Sequence, residues 1–123
     1  MILCDYSFAD AVGKTCIIGA FDEIFARGLP VKHRHMSLAA KLHGAAAEVA
    51  QARVEILDPS GKAINSAAAF PISIGSKGTA ALNVEFYETV LEVEGSYVVN
   101  LFVNEELAGK VPFNLILLGG ASK

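Results

Sequence analysis

Three histidines come closest to a chemical motif in this chain. His33 and His35 form an H-x-H pair within the run from Val31 to His43. Alternate residues of a strand point to one face, so both rings would project together. Imidazole pairs hold zinc, nickel or copper when a third ligand joins them. His43 has the right parity, but it would lie about 26 Å beyond His35 on an unbroken strand. His33 and His35 are therefore the candidate metal ligands. The competing reading is a solvated basic patch with Lys32 and Arg34 at the start of a strand.

Asp5, Asp10, Asp22 and Glu23 could do acid–base or divalent-metal work if they converged. Asp5 falls on the polar parity of its strand, Asp10 reads as a turn residue and Asp22 as a cap. Cys4 or Cys16 would need a nearby base to act as a nucleophile, and no local signature accompanies either. In a hairpin through Ala11 to Lys14, Cys4 would face a residue near 19 and Cys16 one near 7. That leaves the sulfurs about 7–10 Å apart along the strand, beyond disulfide reach, so two reduced thiols are expected. Arg27, Lys32, Arg34 and Lys41 near Phe25 could bind an anion or a single strand. The chain has no tryptophan to stack bases, and an ordinary charged face is the simpler reading. Gly13-Lys14 and Gly75-Ser76-Lys77-Gly78 do not match a phosphate loop, because no helical pattern follows either. The sequence thus points to a non-enzyme, with no catalytic residue and no cofactor.

The totals agree with that. One domain over residues 1–123 is expected, long enough to bury a core without metal or disulfide staples. Hydrophobic residues make up 53% and charged residues 19%. So apolar a chain is not disordered, and its sparse surface charge suggests that a partner or second copy covers some apolar area. The formal net charge of −3 lacks the basic excess of a nucleic-acid binder. MILCDYSFAD does not resemble a secretory signal, and no apolar run approaches the length of a spanning helix. No membrane association and a cytoplasmic location are expected.

Any site here must be positioned by short strands. Ile2 to Phe8 alternates, and Thr15 to Phe21 carries apolar residues on both faces, which suggests burial on both sides or a central position. Asp22 to Pro30 breaks the pattern. It reads either as a short helical turn near residues 22–28, started by Asp22 and stopped by Gly28 and Pro30, or as an irregular connection. In the next run Met36, Leu38, Ala40 and Leu42 share a face opposite Ser37, Ala39 and Lys41. Gly44 to Glu48 is ambiguous. Ala52, Val54 and Ile56 mark another strand, followed by the turn Asp58-Pro59-Ser60-Gly61. Lys62 to Ile74 resumes, interrupted by Pro71, and Thr79 to Tyr87 points Leu82, Val84 and Phe86 inward. About 7–9 short strands joined by turns indicate an all-β antiparallel sandwich.

Val90 to Leu118 reads as a closing hairpin. A two-residue loop at Asn104-Glu105 would set Leu101 opposite Ala108. A three-residue loop including Glu106 sets Val103 opposite Leu107, Leu101 opposite Gly109, Val99 opposite Val111 and Tyr97 opposite Phe113. The second register pairs apolar residues on one face and is preferred. Pro112 has no N–H to donate, so the last strand is either an edge or bent there. As an edge it would expose Asn114, Leu115, Ile116, Leu117 and Leu118 to another chain.

Four segments carry a resemblance: Leu3 to Tyr6, Ile17 to Pro30, Val54 to Lys62, and Glu94 to Leu115. They resemble a family of small uncharacterised bacterial β-sandwich proteins, a domain of unknown function with an immunoglobulin-like appearance. The resemblance implies that fold and carries over no catalytic residue. Such proteins more often have Gly where Glu105 stands. The function expected is an interaction or assembly module that self-associates, or meets a protein partner, through the C-terminal strand. The alternative is a small-ligand or metal-binding sandwich using His33, His35 and the 22–30 loop.

Overall fold

The computed structural model describes residues 1–44 and 48–118. These form nine strands: β1 Ile2–Ala9, β2 Thr15–Ala20, β3 Glu23–Ala26, β4 Val31–His43, β5 Val49–Leu57, β6 Ala63–Ser73, β7 Thr79–Leu91, β8 Gly95–Val103 and β9 Glu106–Leu117. They build two sheets, ordered β2-β1-β4-β7 and β3-β9-β8-β5-β6. Every pairing is antiparallel except β3 beside β9. The fold is thus the all-β sandwich that the alternating runs imply. Ala45–Ala47, in the ambiguous Gly44 to Glu48 stretch, lie outside the described residues.

The core lies between the sheets, where alternation puts it. Met36, Leu38 and Ala40 of β4 and Leu82, Val84 and Phe86 of β7 face Ala52, Val54 and Ile56 of β5 and Tyr97, Val99 and Leu101 of β8. Tyr97 stacks on Phe113 with ring centroids 5.2 Å apart. Its hydroxyl donates to the carbonyl of Val93 at 2.6 Å, which pins the connection between β7 and β8 to the core. Asn65 Nδ2 donates to the buried Thr89 Oγ1 at 2.8 Å and so ties β6 to β7 across the two sheets. Pro71 sits on β6, the last strand of its sheet, where a missing donor is tolerated.

The closing hairpin has the preferred register by a different route. Leu101 faces Gly109, Val99 faces Val111 and Tyr97 faces Phe113. The turn, however, has two residues and not three, because Val103 pairs with Glu106. Asn104 and Glu105 both have positive φ, 51° and 65°, as a type I′ turn requires. The odd residue enters as a bulge, where the register shifts between Leu101 and Phe102 and leaves Ala108 unpaired. Asn104 secures the turn to β5. Its N–H donates to Gln51 O at 2.7 Å, and its Oδ1 accepts from Gln51 N at 2.9 Å. Glu105 takes Arg53 Nη2 at 3.1 Å, a contact that glycine could not make.

Three expectations are corrected. Residues 22–28 hold no helical turn; the segment contains β3, whose buried Ile24 and Ala26 alternate with exposed Glu23 and Phe25. That period of two outweighs the cap signal of Asp22. Second, β3 pairs with Asn114 to Leu117, so this stretch of β9 is not an open edge and cannot dock a partner by strand addition. Leu118 N also donates to Ala26 O at 2.7 Å. Asn114 N donates to Asp22 O, so the nitrogen of Pro112 faces the same side, just beyond the end of β3. The proline marks where that ladder stops. Third, β2 is an outermost strand, with Ile18 54% exposed, and is not a central one.

The β1–β2 hairpin has an unexpected shape. Cys4 pairs with Ser37, so a straight β1 would carry Ser7 about 10 Å farther along. Instead Ser7 Oγ lies 2.6 Å from Ser37 Oγ. The strand bends sharply at Asp5–Tyr6 and lays the rest of the hairpin over the outer face of β4. Opposite the bend, Gly19 has a φ of +69°, and the Asp5 side chain fills the space where a Cβ would stand. This cover explains why Ser37 and Cys4 are fully buried although they face away from the core.

Two substitutions test these features. Gly19→Ala should cost about 1–2 kcal/mol, because alanine must hold a left-handed backbone against Asp5. Tyr97→Phe should cost about 1–2 kcal/mol by leaving the Val93 carbonyl without its hydroxyl donor. Urea unfolding midpoints check both, with an unchanged slope showing that the comparison is fair.

Candidate functional site

Two elements build a cleft rich in ionisable side chains on the outer face. The β4–β7 ladder supplies one wall and the bend of β1 supplies the other. The cleft has a volume of about 820 Å³ and is lined by Asp5, Tyr6, Lys32, His33, Arg34, His35, Glu85 and Tyr87.

His35 is its centre. Its ring stacks on Tyr6 at 4.8 Å and 23°, and meets Tyr87 at 4.9 Å and 55° on the other side. Nδ1 lies 2.7 Å from the carbonyl oxygen of Asp5, and Nε2 lies 3.0 Å from Glu85 Oε1. Both partners are acceptors when Glu85 is ionised, so only the doubly protonated ring donates to both at once. Glu85 also accepts from the Tyr87 hydroxyl, which raises the phenol above its ordinary pKa. The result is a row of three rings across β1, β4 and β7, clamped by hydrogen bonds at both nitrogens of the middle one.

His33 is placed differently. Both rings line the cleft, but their surroundings diverge at Glu88 of the neighbouring strand, whose φ is 54°. Before it, Phe86 points inward while Tyr87 is exposed; after it, Thr89 and Leu91 are buried. The inward parity therefore changes along β7. His33 pairs with buried Thr89, whereas His35 pairs with exposed Tyr87. The His33 ring packs on Phe21 at 5.9 Å, and its Nε2 is buried without a hydrogen-bond partner. Burial pushes its pKa below the ordinary 6.5; the Asp5 carboxylate opposes this, and His35 adds to it.

The other candidate residues do not converge. Asp10 is a turn residue as read: its Oδ1 accepts from Val12 N and Lys14 N at 3.0 and 2.8 Å. Asp22 and Glu23 lie at the start of β3, and no residue of the 22–30 segment lines the cleft. His43 pairs with Thr79 at the far end of β4. Cys4 and Cys16 are both free thiols, facing Ala20 and Phe8 across the hairpin. Burial raises the Cys4 pKa, which makes it a poor nucleophile. Among the described residues no three His, Cys, Asp or Glu side chains stand together as metal ligands. A metal at His35 would have to displace Asp5 or Glu85. Tyr6 and Tyr87 escaped the sequence reading: Tyr6 shares the apolar parity of Ile2, Cys4 and Phe8, opposite Asp5, yet it is exposed while Leu3 on the other parity enters the core.

His33 has a readable pH signature. Its folded-state pKa is depressed, so the unfolded chain takes up the proton first as pH falls. The stability of the neutral ring is present above 6.5 and is lost as pH falls through the folded value. His33→Phe should therefore flatten the difference in urea midpoint between about pH 7.5 and about pH 5. An unchanged difference would assign the acid sensitivity to another group.

Among solved structures the chain is similar to the Pseudomonas fluorescens alkylpurine DNA glycosylase AlkC bound to DNA containing an abasic site analog. The TM-score is 0.52 at 18% identity, over 77% of this chain and 28% of that one. Such a likeness concerns the fold alone, and this chain spans little more than a quarter of that protein's length. No curated protein matches the chain. Among the described residues no helix is long and apolar enough to cross a membrane. One family model covers residues 1–116, and by that match the chain belongs to DUF6941, a family of unknown function.

Proposed function

We propose that this protein is a non-enzymatic β-sandwich module that self-associates through the aromatic outer face of its four-stranded sheet. The observation that carries the reading is the exposure of Tyr87 at 61%, Tyr6 at 55%, Ile18 at 54% and Phe8 at 47% on one continuous surface. Tyr6 pairs with Ile18 across the hairpin, Phe8 lies beside them, and Tyr87 joins through the His35 stack. Four large exposed apolar side chains linked by strand register and ring stacking are more than the scattered singles of an ordinary surface. Aromatic rings with polar tips are also the residues that anchor interfaces.

Charge favours a second copy as the occupant. The cleft carries Asp5 and Glu85 together with Lys32 and Arg34. Under a twofold axis such a patch can set acid against base. The engaged nitrogens of His35 favour recognition over catalysis, because a general base needs a free lone pair. The architecture supports an immunoglobulin-like module: the Tyr97 hydroxyl bonds back to the upstream Val93, as in a tyrosine corner. Two unpaired thiols suit a reducing cytoplasm.

Analytical ultracentrifugation tests the reading. The wild-type chain should sediment as a concentration-dependent dimer. Tyr6→Ser combined with Tyr87→Ser should weaken association by about 30-fold, the effect of losing ~2 kcal/mol at an anchor. A strict monomer for the wild type up to about 100 μM would rule out self-association as its function.

A further inference from the structure

A second hollow lies under the folded hairpin, at the other end of the same sheet face. Its volume is about 700 Å³, within the range of small-molecule sites. It exists because the bend of β1 carries Lys14 and Ile17 over β4 and β7, where the outward side chains Ala39 and Ala81 are too small to fill the gap. Ile2 closes one side, so most of the lining is apolar.

The polar part of the lining has one sign. Lys14 and Lys41 are its only charged side chains, and among the described residues neither makes an ion pair. The Asp10 carboxylate, the nearest acid in sequence, is turned to the backbone of Val12 and Lys14. Thr15 and Thr79 add hydroxyl donors. One ammonium from the β1–β2 turn (Lys14) and one from β4 (Lys41) around an apolar floor leave a positive potential that an anion would neutralise.

We infer that the hollow between the β1–β2 hairpin and the β4–β7 face binds a small amphipathic anion. Its carboxylate or phosphate head lies between Lys14 and Lys41, and its apolar body rests on Ile2, Ile17, Ala39 and Ala81. The site is separate from the aromatic cleft, so its occupancy does not depend on self-association.

Titration calorimetry of the full chain tests this with octanoate and octyl phosphate, with octanol as the neutral control. Both anions should bind with a Kd below about 1 mM, and octanol about tenfold more weakly. Lys14→Met and Lys41→Met should each raise the Kd about tenfold, since both side chains are exposed and their loss leaves the core intact. Ala81→Leu, at an exposed floor position, should abolish binding by filling the hollow. Absence of binding by either anion up to about 5 mM would overturn the inference. So would octanol binding as well as octanoate, or Kd values indifferent to both lysines. Lysine-dependent binding to phosphatidylglycerol vesicles with none to octanoate or octyl phosphate would make the surface a membrane contact and overturn it equally.

Discussion

The β4–β7 ladder is the constraint on which the rest depends. It runs without a slip from Val31 opposite Leu91 to His43 opposite Thr79. Because side chains alternate with period two, this one register decides what each neighbour meets. On the inner side it delivers Met36, Leu38, Val84 and Phe86 to the core. On the outer side it lays out the floor of both concavities. A shift of one residue would exchange core for surface along the whole length.

The ladder also contains the local exception that shapes the cleft. Glu88, at positive φ, reverses which side of β7 faces inward. This lets Thr89 bond to Asn65 of the opposite sheet while Tyr87 stays in solvent beside His35. A backbone strain of about 1–2 kcal/mol at one residue is thus offset by a buried hydrogen bond and by the burial of Leu91. The bend of β1 is a second exception of the same kind. It seals Cys4 and Ser37 beneath Ser7, and it creates the space under the hairpin.

Much of this was legible in the residues. The alternation of Leu82, Val84 and Phe86, and that of Ala52, Val54 and Ile56, marked the inward faces correctly. Apolar pairing placed Val99 against Val111 and Tyr97 against Phe113. The turn itself was misread, because a bulge at Ala108 adds the same one residue to the count as a longer loop would. The helical turn near residues 22–28 was misread for a related reason. Four residues are too few for periodicity to outvote a capping aspartate and a following glycine. The docking edge at Asn114–Leu118 was misread because that same short segment, as β3, covers it.

The sequence by itself determined the class of fold, the inward faces of β5, β7 and most of β4, and the absence of a familiar catalytic motif. These depend on local period and residue type, which neighbours along the chain share. Only the tertiary structure decided that His33 and His35 have different partners in one cleft, that Tyr6 and Tyr87 bracket one histidine, and that Lys14 meets the same hollow as Lys41. Those facts follow from one positive-φ residue in β7 and one bend in β1. Neither leaves a mark in hydrophobic periodicity, because each reorients side chains without changing which residue types they are.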